Sequence, residues 1–571
     1  MMKKFVPILV ALLLIFIVGG ITVGGMLIEK YSYSEERADL QEYFGVEGNQ
    51  LAIILQDERV EENAILKDGV CYFDLDTVHK YFNDGYYIDL NENIMLYTTA
   101  LTTTKVNLGE AAVYVDEVRT ELPYVPVYVD SETVYVAADY VKRFTNMSYE
   151  VFDMRVQVYT EWGTRTVDYA LKDTAVRYRG GIKSEILCDL TAGSEVEVLE
   201  VMENWAKVKT QDSFIGYVEN KLLENTSKGQ GEAYEETPVT DYVEEEYTTQ
   251  QLERKVCLGW HAIGGVGGND TLESMVENAK GMNVIAPTWF SLNDNYGNFE
   301  SYGTTDYVDR AHELGLEVWG VLDDFNYKLN YDSTVDVNEV LKSSMFRGFL
   351  IENIIDEAMC LGIDGINLDF EKVDAESGEH FAQFIRELSV QCRKNELTFS
   401  VDNYVPFHFN EYMRRDVQGK FADYVIIMGY DEHWHGSGDP GSVASIDYVS
   451  NGIDKTMEQV PADKIVNAVP FYSILWKTEG TTVTDEYLTM INTADFLERV
   501  GQTGVWDEET QQNYYEWQSG NALYQLWSED EQSISVKLNV MRAKEIAGVA
   551  VWRLGYGTPK VWEMINAYVN S

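Results

Sequence analysis

Eight short apolar runs recur along the C-terminal half of this chain, and longer amphipathic stretches separate them. In order they are "KVCLGWHA", "NVIAPTWF", "LEVWGVLDDF", "DGINLDFE", "LTFSVDNYV", "ADYVIIMGYD", "KIVNAVPFYS" and "AGVAVWRLG". Helix-like runs such as "TTDYVDRAHELG", "MFRGFLIENIIDEAMCLG" and "EHFAQFIRELSVQCRKN" lie between them. Strands alternating with helices predict a parallel sheet, and eight such pairs predict a closed (β/α)8 barrel. In that fold, functional side chains gather at the C-terminal ends of the strands. Several of these runs end in polar or aromatic residues: Phe370–Glu371, Tyr430–Asp431 and Trp552–Arg553.

The run "DGINLDFE", Asp364 to Glu371, sharpens the expectation. Successive side chains of a strand leave opposite faces. Ile366, Leu368 and Phe370 therefore share one face, and Asn367, Asp369 and Glu371 the other. A row of carboxylates is costly unless the acids are hydrated, paired or used, which makes this face a candidate site.

The rest of the chain divides by pattern. The 571 residues exceed one hydrophobic core. "MMKK" precedes an uncharged run from Phe5 to Ile28, long enough to span a bilayer. Lys3 and Lys4 favour a cytoplasmic N-terminus, so the reading is an uncleaved single-pass anchor with the bulk of the chain outside; a cleaved signal is the alternative. An internal repeat follows. "CYFDLDTVHKYFN" from Cys71 is echoed by "VYVAADYVKRFTN" from Val134, each with a second similar run after it. Each copy reads as strand, short helix (Val78 to Phe82; Val141 to Phe144) and hairpin. Residues 168–225 read as short strands between turns, and 226–250 as a flexible acidic linker. The expected architecture is thus α/β, with a tip and transmembrane anchor (1–30), a repeated α+β stalk module (50–165), a small β-barrel (168–225), the linker and a TIM barrel (251–571).

Composition excludes some partners. With 95 acidic against 44 basic residues, net charge −51, the surface repels nucleic acid and anionic membranes, leaving the anchor as the one membrane contact. The five scattered cysteines show no CxxC or Cys/His pairing and read as mostly buried free thiols. "HWH", His433 to His435, lacks a third ligand at usable spacing, so no metal and no cofactor is expected. The 38 Tyr and 12 Trp suit flat platforms for sugars, or simply aromatic-rich β-structure.

Several motifs resemble known families. The repeat is similar to the copper-amine-oxidase-type N-terminal domain that bacterial wall proteins carry as a stalk, although nothing here supplies copper ligands. Residues 168–225, with Trp205 and Gly216–Tyr217–Val218, resemble a bacterial SH3 domain, which implies contact with wall peptides or a rigid spacer. "DGINLDFE" resembles the DGxDxDxE signature of glycoside hydrolase family 18. "MGYD" (Met428 to Asp431), "AVPFYS" and "GVAVWRLG" resemble that family's motifs on strands six, seven and eight, and the run from Leu526 resembles its spore-wall branch.

The resemblance implies a substrate and roles. Family 18 enzymes hydrolyse β-1,4-linked N-acetylglucosamine glycans using the substrate's own acetamido oxygen as nucleophile. Glu371 would be the general acid, its pKa raised by Asp369. Asp369 would orient the acetamido N–H and Tyr430 its oxygen. Asn367, Met428, Asp431 and Trp552 would contact substrate, with Trp552 stacked under the ring. Asp364 would support the start of the strand. Anchor, stalk and SH3-like module point to peptidoglycan as substrate, with chitin second. Two departures stand out: Asn367 replaces the family's usual Asp, and strand three lacks the S-x-G-G pattern. A non-catalytic glycan-binding barrel and a wall-anchored scaffold remain alternatives.

Overall fold

The computed structural model describes residues 6–229, 232–235, 240–325 and 335–571. Lys3 and Lys4, parts of the expected linker and residues 326–334 lie outside the described residues. The helix Val6–Tyr31 contains a stretch, Leu9–Tyr31, long and apolar enough to cross a membrane. Two compact units follow: Met1–Tyr86 with Val106–Glu244, and Tyr87–Lys105 with Glu245–Ser571.

In the first unit each repeat copy supplies a strand and a short helix, Val70–Asp74 with Leu75–Tyr81 and Thr133–Ala137 with Ala138–Val141. Both helices start three residues before the expected positions. In the first copy the Asp74 carboxylate caps the new N-terminus by accepting from Thr77 N. The SH3-like strands build a seven-stranded sheet whose core includes Val176, Leu187, Val196, Val208 and Val218. Gly216 is required there, because a Cβ would lie 2.6 Å from Arg177 O. The expected linker is ordered in part: Glu232–Glu235 pairs antiparallel with Thr164–Tyr169, since a free sheet edge satisfies the backbone of even an acidic segment.

The second unit is built on a closed barrel of eight parallel strands: β1 Val256–His261, β2 Val284–Pro287, β3 Glu317–Asp323, β4 Gly365–Asp369, β5 Thr398–Tyr404, β6 Tyr424–Met428, β7 Ile465–Pro470 and β8 Gly548–Trp552. These are the eight apolar runs of the sequence, and β8 closes the ring against β1. The strands carry almost unbroken buried residues, as a sheet covered on both faces requires. Helices α1 Ser344–Leu361 and α2 Gly378–Lys394 flank β4 in sequence. Ser343 caps α1 by accepting from Phe346 N, and Gly362, at φ 75°, ends it. Residues 87–105 belong to this unit: Tyr87 meets His380 Nδ1 at 2.6 Å, and Arg347 donates to Tyr87 at 3.3 Å.

Between β7 and β8 the chain makes an excursion that the sequence reading did not anticipate. Five antiparallel strands (Tyr472–Glu479, Thr482–Thr489, Val505–Asp507, Gln512–Ser519 and Ala522–Ser528) and the helix Met490–Val500 form a small α+β wall. Its signals were the two-residue turns Gly480–Thr481 and Gly520–Asn521 between alternating aromatic runs.

Candidate active site

A cavity of about 230 Å³ lies at the C-terminal ends of the barrel strands. The alternation within β4 places its side chains as the period-two pattern requires. Ile366, Leu368 and Phe370 are buried in the apolar layer, while Asp369 and Glu371 line the cavity. Tyr430, Met428, Asp431 and Trp552 line it too. Gly429 lets β6 pass close to β7, since a Cβ there would sit 2.9 Å from Ala468 O, and this close approach sets the position of Tyr430.

Asn367 is placed differently from its expected substrate contact. It is fully buried beneath the cavity and absent from its lining. Its Oδ1 accepts from Trp260 Nε1 at 2.9 Å, and its Nδ2 donates to Ser400 Oγ at 3.0 Å and Asp402 Oδ1 at 2.8 Å. Asp364 is at the opposite end of β4, where its Oδ2 accepts from Val318 N at 2.8 Å. His433 and His435 are held apart from the cavity, against Asp439 and Asp485. Among the described residues no cluster of His, Cys, Asp or Glu is arranged to hold a metal ion, and the five cysteines are free thiols.

The remaining lining came from strands without a motif: Trp260 (β1), Thr288 (after β2), Asp323 (β3), Phe325 (after β3), and Asp402 and Tyr404 (β5). The Tyr404 hydroxyl donates to Glu371 Oε2. Tyr472, at the start of the inserted wall, donates to Asp431. The Asp324 carboxylate receives Glu371 N at 3.2 Å and Lys372 N at 2.8 Å, which holds the turn after β4 in place. Trp260 and Trp552 meet edge to face with ring centres 6.0 Å apart.

The electrostatics follow from burial. The Glu371 carboxyl is pushed up to about 7, first by burial and then by Asp324, Asp431 and Asp323, while Tyr404 pulls it down. The expected cause, Asp369 alone, is therefore not the main one. Burial also holds Asp369 and Asp402 well above the usual carboxylate range, with Glu371 adding to both. Among the described residues no lining residue is a cation. Carboxyls so crowded cannot all ionise, so at neutral pH the site keeps protons. Asp369 Oδ1 is buried without a hydrogen-bond partner. An acceptor in that state, beside an acid titrating near neutrality, is suited to an N–H and a leaving oxygen on one small neutral ligand.

Comparison with known proteins finds two family models that match parts of the chain. Residues 331–557 match the model "Glycosyl hydrolases family 18", and residues 172–224 match "Bacterial SH3 domain". Part of the barrel unit is thus similar to glycoside hydrolase family 18. Among curated relatives, the putative sporulation-specific glycosylase YdhD of Bacillus subtilis is 30% identical over 246 residues, covering 40% of this chain and 56% of that protein. The cortical fragment-lytic enzyme of Bacillus anthracis is 24% identical over 235 residues, covering 40% of this chain and 54% of that one. The chain thus spans just over half the length of these two relatives. The C-terminal domain of a putative chitinase from Desulfitobacterium hafniense aligns over 56% of this chain and 100% of its own, with a TM-score of 0.50 and 17% identity, a likeness of fold. The matched residues contain β4 to β8 of the closed barrel, with Asp369, Glu371, Tyr430 and Trp552 among them.

Proposed function

We propose that this protein is a retaining glycoside hydrolase of β-1,4-linked N-acetylglucosamine glycans, acting on peptidoglycan at the bacterial envelope, with chitin the second candidate. One observation carries the reading: Glu371, at the end of β4, faces the cavity with its carboxyl pushed up to about 7, two residues after Asp369 and opposite Tyr430. A general acid works best when its pKa lies near the working pH.

In this mechanism Tyr404 holds Glu371 Oε2, leaving the other carboxyl oxygen to protonate the glycosidic oxygen. Asp369 accepts the acetamido N–H of the sugar and aligns the acetamido oxygen on the anomeric carbon. As the glycosidic bond breaks, that oxygen forms the new bond, and the anionic Asp369 stabilises the positive charge that develops. Glu371, now ionised, takes a proton from water, which opens the cyclic intermediate with net retention. Tyr430 positions the acetamido group, and Trp552 supports the ring from below. The names of the two curated relatives support a bacterial wall glycan as substrate. In this reading the apolar helix anchors the chain, the repeated module spaces the barrel from the membrane, and the SH3-like module touches wall peptides.

The test is digestion of purified peptidoglycan and of a chromogenic N-acetylglucosamine oligomer by residues 32–571, with products read by mass spectrometry. Wild type releases reducing ends, and Glu371→Gln lowers the rate by about 10²–10⁴-fold. Binding without release at any pH from acid to neutral would establish a lectin-like barrel instead, and neither binding nor release a scaffold.

A further inference from the structure

The family pattern has an Asp where this chain has Asn367, yet the neighbouring strand supplies a carboxyl of its own, Asp402, to the cavity. We propose that Asp402, on β5, is a neutral carboxylic acid that donates its proton as a hydrogen bond to Asp369, so that Asp369 is ionised while Glu371 keeps its proton. The proposal rests on the hydrolase reading for its kinetic consequence, and on geometry for its placement.

The register of β4 and β5 pairs Leu368 with Val401, so Asp369 and Asp402 follow as the next neighbours, and both line the cavity. Asp402 is 3% exposed, so water does not hydrate its charge. Its Oδ1 is occupied by the amide of Asn367, whose orientation is locked by Trp260 Nε1. An amide cannot take up a proton, which leaves the second oxygen of Asp402 as the place to carry one. Asp369 Oδ1 is a buried acceptor lacking a donor among the described residues. The titratable groups facing Asp402 are Asp369 and Glu371 from β4, Tyr404 from its own strand, Tyr430 and Asp431 at the end of β6, and Asp323 from β3. All are acids or phenols, so an ionised Asp402 has no counter-charge among the described lining residues. Burial raises its carboxyl in the same direction. The carboxyl absent from β4 is thus supplied from β5, and Asp402 acts as a positioning residue through Asp369.

The discriminating pair is Asp402→Asn and Asp402→Ala in residues 32–571. An amide still donates a hydrogen bond, so Asp402→Asn keeps kcat within about threefold. Asp402→Ala loses the donor, and kcat falls at least about tenfold with KM little changed. The acid limb of its pH profile moves to higher pH, because a hydrogen bond to the charged form favours it and its loss raises the pKa of Asp369. Infrared difference spectra between wild type and Asp402→Asn at neutral pH show one protonated-carboxyl carbonyl band that the variant lacks. The proposal is overturned if Asp402→Asn is as inactive as Glu371→Gln, if Asp402→Ala matches wild type, or if the infrared band is missing. The infrared result decides the proton even if Asp402→Ala fails to fold or wild type cleaves no glycan; that last outcome alone defeats the hydrolase reading.

Discussion

The hydroxyl of Tyr404, at the end of β5, donates to Glu371 Oε2 at the end of β4. A donor to the ionised carboxylate favours that form, so Tyr404 opposes the upward push of burial. In Tyr404→Phe the pKa of Glu371 rises. A general acid is active while protonated, and activity is lost as pH rises through its pKa. The alkaline limb of kcat/KM therefore moves to higher pH in Tyr404→Phe, and kcat falls severalfold because the carboxyl loses its fixed orientation. A pH–rate profile of the two proteins checks both effects.

The raised carboxyls also act on stability. Glu371 titrates at about 7 in the folded chain, above the ordinary glutamate value of 4.5. Between those pH values the folded state binds more protons than the unfolded one, so this group's contribution falls as pH rises. Glu371→Gln removes the charge that burial penalises. Its Tm exceeds that of wild type by a few °C at pH 8, with the difference vanishing near pH 4. Calorimetry across that range measures it.

Lys537 and Glu529 form an ion pair with side chains 1% and 0% exposed, at 2.9 and 3.0 Å. Gln512 and Ser533 also donate to Glu529, at 2.7 and 2.8 Å, which ties the inserted wall to the helix Glu531–Ala543. Lys537→Met leaves a buried carboxylate without its cation and costs about 3–5 kcal/mol. The barrel transition in a thermal scan drops accordingly, and Glu529→Gln added to Lys537→Met recovers part of the loss.

The helix Val6–Tyr31 distinguishes anchor from signal by a simple fractionation. As an anchor it keeps the full-length chain in the membrane fraction, resistant to salt and released by detergent, at undiminished mass. Removal of residues 1–31 leaves a soluble protein with the same activity per molecule.

Much of the barrel was legible because its signals are local. The strands of a sheet covered on both faces read as continuous apolar runs, and each lies within ten residues of sequence. Asp369 and Glu371 were legible because period two brings them to one face. The inserted wall was not legible because its two-residue turns are weak signals beside the strand-and-helix alternation around them. Trp260, Asp323, Asp324, Asp402, Tyr404 and Tyr472 were overlooked for a different reason. They come from β1, the end of β3, β5 and the start of the inserted wall, and only Asp402 and Tyr404, two apart on β5, share a face by spacing.

Sequence alone determined the order of the strands, the face on which each β4 side chain sits, and the acid available for chemistry, since these depend on backbone periodicity and residue type. Tertiary structure alone decided the environment of that acid. Closing the barrel brought Tyr404 onto Glu371, put Asp402 beside Asp369 and set Asn367 beneath the cavity, bonded to Trp260 and Asp402. It also removed the water that would keep these carboxyls at ordinary pKa values, because desolvation is a property of the assembled cavity and of no single segment.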